Sequence, residues 1–136
     1  MSKNKHLSGG LFAAKPAPLT IRETPLSAQI AEWLDNRGIY NDRLQCGAIE
    51  TKRGNWLKLC KTGTPDRFAI IRGQIIFIEV KKFGAKPTFN QMRRHETLTN
   101  VGAIVIITTS FDNFVIQFNA IRAQIERREK ETNLND

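Results

Sequence analysis

The feature that most constrains this chain is a pair of charges inside an apolar run. Gln74 to Val80 is the longest mostly apolar stretch, and Glu79 sits within it, with Lys81 two residues on. Arg67 to Arg72 is a second apolar, β-branched-rich run, separated from the first around Gly73. Two such runs about a glycine predict an antiparallel hairpin over 67–72 and 74–82. In a strand, residues two apart share a face, so Glu79 and Lys81 point the same way. A turn centred near Gly73 then brings Asp66 opposite residues 79–81. A register shift of one decides which face Asp66 shares.

Charges within an apolar strand are costly unless paired or bound to a metal. Two neighbouring carboxylates repel, and a hard divalent cation such as Mg²⁺ removes that repulsion. Mg²⁺ is commonly held by one or two carboxylates, water and substrate phosphate. A lysine beside them suits phosphodiester hydrolysis, where it can position water or offset charge on the phosphate. The structural alternative is a salt bridge of Glu79 with Lys81 or Lys82 on an exposed strand face. What separates these readings is the combination: Gly63-Thr64-Pro65-Asp66, a gap of twelve residues, then Glu79-Val80-Lys81.

The rest of the chain fits an α/β domain. Thr24-Pro25 has the form of an N-cap followed by proline at the first helical position. Leu26, Ile30, Trp33 and Leu34 form one helical stripe, and Gly38 is a stop, so a first helix covers 25–37. Alternation of Leu44, Cys46 and Ala48 predicts a strand over 43–50, and Leu57 and Leu59 predict a short one over 55–61. Thr88 can cap a helix over 89–100, and 103–108 is a buried-strand run. Phe111, Phe114, Val115, Phe118, Ile121 and Ile125 recur at helical spacing, giving a last helix over 112–130. The strand–helix–strand segment from 74 to 108 has the form of a parallel crossover.

Length and charge bound the function. At 136 residues the chain suits one domain. Its apolar runs are too short to span a bilayer, and no secretion signal is evident, so the expected location is cytoplasmic. The net charge is +8, which suggests a polyanionic partner, nucleic acid above all. Four of the bases, Lys3, Lys5, Lys15 and Arg22, lie in residues 1–22 without an acid. That basic tail, with its glycines and prolines, is expected to be disordered. Residues 122–136 read as the end of the last helix and a charged tail.

Gly63-x-Pro65-Asp66, the gap, and Ile78-Glu79-Val80-Lys81-Lys82 resemble the PD-(D/E)XK nuclease superfamily. The likeness is greatest to the small VRR-Nuc domains, and it covers residues 23–121. The helix ending in Gly38, a glutamine about ten residues beyond the lysine (Gln91), and the strand 103–108 complete it. The resemblance implies a restriction-endonuclease-like domain with a central mixed β-sheet flanked by helices. It implies metal ligation by Asp66, Glu79 and the carbonyl of Val80, with Mg²⁺ as cofactor and Mn²⁺ as a substitute. It makes Lys81 the catalytic lysine and gives Gln91 an orienting role. A helix-one acid is expected too, Glu23 or, alternatively, Glu32. Lys82, Lys86, Arg93, Arg94 and Arg53, with Lys52 beside it, become candidate phosphate contacts. The implied activity is metal-dependent endonucleolytic cleavage of DNA, structure-selective for branches such as four-way junctions, by a homodimer in a bacterial or phage-infected cell. The alternative is an inactive nucleic-acid-binding module of the same fold.

Other residues read as structural. Cys46 and Cys60 lack zinc spacing and read as small apolar residues of the sheet. Trp56 and Tyr40 can stack on bases, but packing in the core is the favoured reading. His95 is expected on a polar helix face, and His6 in the tail. Phe111, Phe114 and Phe118 are expected in the core, or at a dimer interface.

Overall fold

A computed structural model describes residues 23–136. The expected basic tail, 1–22, with His6, lies outside the described residues.

Helix α1 (Pro25–Asn36) starts where Thr24 caps it, its hydroxyl accepting the Ser27 N–H at 3.2 Å. The stripe Ile30 and Leu34 is fully buried, and Leu26 and Trp33 pack beside it. Arg37 then lies over the Trp33 ring at 3.8 Å. Strand β1 (Tyr40–Arg43) follows, then β2 (Ala48–Glu50) and β3 (Trp56–Lys58). The expected single strand over 43–50 is therefore two strands in two sheets. The chain turns out of the main sheet at Leu44, whose N–H reaches the Asp66 carbonyl at 2.8 Å. The alternation of Leu44, Cys46 and Ala48 spans that corner and marks no single ladder.

Strands β4 (Arg67–Ile71) and β5 (Gln74–Val80) form the expected hairpin. Its two-residue turn holds Arg72 at φ 49° and Gly73 at φ 79°, the left-handed pair that a twisted hairpin of this length requires. Helix α2 (Phe89–Asn100), β6 (Ile104–Thr108) and α3 (Phe111–Asn135) complete the chain. The last helix continues past the expected end at 130 and takes in the charged segment. Ile125 is still buried there, and Arg72 pairs with Glu129.

The main sheet has the order β1-β4-β5-β6, with β5 and β6 parallel and the others antiparallel. β2 and β3 form a separate antiparallel pair. This is a mixed α/β architecture, a central mixed sheet with helices about it, as expected of a restriction-endonuclease-type domain. Among the described residues no helix is long and apolar enough to cross a membrane.

Register sorts the two faces of the sheet. Cross-strand partners share a face, so Ala69, Ile76, Ile78 and Ile106 lie on one side. There they meet Ile30 and Leu34 of α1 and Phe114 and Phe118 of α3 in the core. Trp33 sets its ring edge-on to both phenylalanines, with centroids 5.6 and 5.4 Å away. The opposite face carries Glu79, under α2. Tyr40 and Trp56 are not core: they are 64% and 70% exposed. β1 is an edge strand, and among the described residues no layer lies over the short β2–β3 pair to cover an indole.

Candidate active site

Arg67 pairs with Ile78, so the residue before it, Asp66, falls level with Glu79 and on its face. The register left open by the sequence is thus the one that brings the two acids together. Asp66 is exposed and accepts the backbone N–H of Val80 through Oδ2 at 3.2 Å. Glu79 is 2% exposed. Its Oε1 accepts the Gln91 amide at 2.9 Å and lies 3.6 Å from the Lys81 ammonium. Its Oε2 is buried with no hydrogen-bond partner among the described residues. Burial foremost, and the Asp66 charge second, push the Glu79 carboxyl up to about 7, against the pull of Lys81.

Each side chain is fixed from the backbone upward. The Lys81 N–H donates to the Thr108 carbonyl at 2.8 Å, which extends the β5–β6 pairing under the lysine. Gln91 is held by its own helix start. Thr88 accepts the Gln91 N–H at 3.2 Å, and the Gln91 side-chain oxygen accepts the Thr88 N–H at 2.9 Å. This reciprocal capping box leaves the amide nitrogen free to turn to Glu79. The Thr88-Phe89-Asn90-Gln91 pattern is its signature in the sequence. Gly63 lets the loop before Asp66 pass close to the same helix start. A Cβ there, at φ +82°, would lie 2.3 Å from the Asn90 carbonyl oxygen. Only glycine tolerates both the angle and the approach.

Three residues near the site differ from their expected surroundings. His95 is buried at 7% exposure, not on a polar face. Its Nε2 has no partner among the described residues, and burial, with the Lys81 charge second, lowers its pKa. It lies four residues beyond Gln91, on the same side of α2, a helical spacing that could have located it. Cys46 and Cys60 are outside the strands, in the neck that joins the β2–β3 hairpin to the domain. The Cys60 thiol donates to the Gln45 carbonyl at 3.1 Å and the Cys46 thiol to the Thr64 carbonyl at 3.8 Å. Burial and the neighbouring Cys60 push the Cys46 thiol up to about 12, so it is no nucleophile at neutral pH.

Glu23 is held elsewhere. Its carboxylate accepts the Ser27 hydroxyl at 3.1 Å and pairs with the buried Arg67 guanidinium. Arg67 also donates to the Asn41 side chain at 2.8 Å. Successive strand residues face opposite ways, so Arg67 directs Glu23 to the face opposite Asp66. Glu32 is exposed on α1. Lys82 and Lys86 are exposed in the loop leading to α2, and Lys52 and Arg53 at the tip of the β2–β3 hairpin. Arg93 is exposed, 5.6 Å from the Phe89 ring centroid. Arg94 is half-buried and donates to the Thr62 carbonyl at 3.1 Å, fastening α2 to the loop before Asp66.

The structure therefore brings Asp66, Glu79, Lys81 and Gln91 together at the end of β5. An orphaned buried carboxylate oxygen, an exposed second carboxylate and an ammonium make a site that favours a cation and an anion side by side.

No protein-family model matches the chain. Among curated proteins it is similar to "Putative nuclease p44" of Acyrthosiphon pisum secondary endosymbiont phage 1, with 45% identity over 53 residues. That stretch is 38% of this chain and 57% of the relative, so the chain spans little more than half of the protein it matches.

Proposed function

We propose that this chain is a metal-dependent endodeoxyribonuclease of the PD-(D/E)XK type, acting on branched DNA as a homodimer. The observation that carries the reading is Glu79: a carboxylate held in the sheet, facing Asp66, with Lys81 beside it and one oxygen unpartnered. A buried charge so poorly compensated is expensive for the fold alone, and a cation answers the expense. Similarity to a phage protein named as a nuclease supports the same class of chemistry.

Among the described residues no cluster of three or more His, Cys, Asp or Glu could hold a metal. A pair of carboxylates still suits Mg²⁺, which keeps several waters and takes oxygen from substrate phosphate. The ligands in this reading are Asp66, Glu79 and the Val80 carbonyl, with Mn²⁺ as a substitute. When bound, the ion acidifies water and polarises the phosphoryl oxygens.

The chain's own residues supply the rest. Gln91 fixes Oε1 of Glu79, so Oε2 is the oxygen that a cation would take. Asp66 is steadied by the Val80 N–H. Lys81 sets its ammonium beside the carboxylates, where it can orient a water and offset negative charge growing on the phosphate. Hydrolysis joins water oxygen to phosphorus and breaks one P–O bond, and a proton must pass to the leaving oxygen. Glu23 acts at a distance, as a positioning residue, by holding Arg67 next to Asp66. Lys82, Lys86, Arg93 and Arg53 contact phosphates, and a +8 chain draws DNA to them.

The test is a cleavage assay on labelled four-way junction, splayed arm, linear duplex and single strand, with Mg²⁺, Mn²⁺ or EDTA. Metal-dependent cutting of the junction, lost in Glu79→Ala, is the expected result. Equal cutting of every substrate keeps the chemistry and removes the branch selectivity. Salt-sensitive binding without cutting under any metal moves the chain to the binding-module reading.

A further inference from the structure

The β2–β3 hairpin is set apart from the main sheet, and its second strand is exposed throughout. Trp56 shows 70% of its surface, which leaves its indole accessible. The pairing Ala48↔Lys58 and Glu50↔Trp56 puts Trp56 and Lys58 on one face of the hairpin. The Lys58 ammonium bonds the Thr62 hydroxyl, so that face turns toward the loop before Asp66. Lys58, Lys61, Thr62 and Arg94 line a groove of about 330 Å³ there.

Two of its lining residues, Thr62 and Arg94, tie the groove to the elements that carry the acids. Thr62 is four residues before Asp66, and Arg94 is one helical turn beyond Gln91, which touches Glu79. Three cationic side chains meet in the groove, whereas Glu50 lies opposite Trp56 at the other end of the hairpin face. An anion is drawn to the first end and repelled from the second. The second end instead offers an aromatic plane.

We propose that the hairpin holds an unpaired stretch of the nucleic-acid strand, with phosphate in the Lys58–Lys61–Arg94 groove and a base stacked on Trp56. The inference rests on the nuclease reading for its substrate and assigns to it a single-stranded element beside the site. A base inside a duplex has no free face for the indole. Stacking on an aromatic side chain is tolerant of sequence and strong enough to select unpaired segments.

The test reads binding in EDTA, where no cutting occurs. Labelled oligothymidylate and a blunt duplex of equal length are titrated by anisotropy against wild type, Trp56→Ala, Trp56→Phe and Lys61→Ala. Trp56→Ala weakens oligothymidylate binding roughly 5- to 150-fold, the range that one stacked base supplies. It leaves duplex binding unchanged, and Trp56→Phe restores much of the loss. Lys61→Ala weakens both probes and lowers the salt dependence. Oligothymidylate also quenches tryptophan fluorescence in wild type but not in Trp56→Ala, where only Trp33 remains. No binding of oligothymidylate by wild type, or in Trp56→Ala either no loss or an equal loss on both probes, overturns the proposal. Parallel Mg²⁺ reactions separate the two readings. The binding pattern without cleavage retains the hairpin role and rejects the nuclease, and cleavage without the pattern does the reverse.

Discussion

The Gln91 side chain serves two masters: its oxygen caps its own helix while its nitrogen holds Oε1 of Glu79 at 2.9 Å. The start of α2 and the buried carboxylate are therefore one unit. Gln91→Ala should lose both bonds and cost on the order of 1–3 kcal/mol. Gln91→Glu keeps an oxygen for the capping box and sets a carboxylate against Glu79. It should be the more damaging of the two above neutral pH. Urea unfolding at pH 5 and pH 8 checks this, and equal damage at both pH values would count against the contact.

In the metal-free protein the contribution of Glu79 to stability should be smaller at pH 8 than at pH 5. The folded state raises Glu79 from 4.5 to about 7, so between those values the native state holds more protons than the unfolded chain. The contribution of Glu79 to stability then falls as pH rises through this window, by a few kcal/mol at most in order of magnitude. Glu79→Gln should flatten that slope. Melting temperatures in EDTA across pH 4.5–8 measure it.

Millimolar Mg²⁺ or Mn²⁺ should raise the melting point at pH 8. A ligand at ten times its dissociation constant stabilises by about 1.4 kcal/mol. Asp66→Asn should remove the shift and the cleavage together. Retention of the full shift in that variant would sink the assignment of Asp66 as a ligand.

Gly63→Ala should destabilise the protein by roughly 2 kcal/mol or more, since both the positive φ and the contact with Asn90 oppose a methyl group. Because the same loop leads to Asp66, cleavage should fall further than unfolding alone explains. Activity measured well below the melting point separates these effects.

Glu23→Ala strips the buried Arg67 of its carboxylate partner. It should lower the melting point, by a cost of about 1–3 kcal/mol. Glu23→Gln, which can still accept from Arg67, should recover most activity. A large loss of kcat in Glu23→Gln with the melting point unmoved would place Glu23 in the chemistry itself.

Where one signal dominated, the sequence was easily read. Helix α2 and the β4–β5 hairpin follow from Thr88 and Gly73, local features that tertiary contacts reinforce. The grouping of Asp66 and Glu79 needed the register, which a two-residue turn fixes only once its type is known. The strand expected over 43–50 failed for a different reason. Leu44, Cys46 and Ala48 keep strand periodicity across a corner, and periodicity cannot say which sheet a residue joins. Trp56 and His95 exchanged their expected places because burial is decided by the layer above. His95 lies on the side of α2 that Gln91 turns to the sheet, and among the described residues no layer covers the indole.

The alternation along β5 makes the strand tolerant of one kind of change and brittle to another. Ile76 and Ile78 serve the core, and Glu79 between Ile78 and Val80 serves the opposite face. Substitutions can retune either side without touching its neighbour. One residue inserted after Gln74 would instead exchange the sides, driving the carboxylate into the phenylalanines of α3 and an isoleucine into the place of the acid under α2. Sequence drift in this strand is thus confined to replacement, and length variation is pushed out to the hairpin tip and the loop before α2.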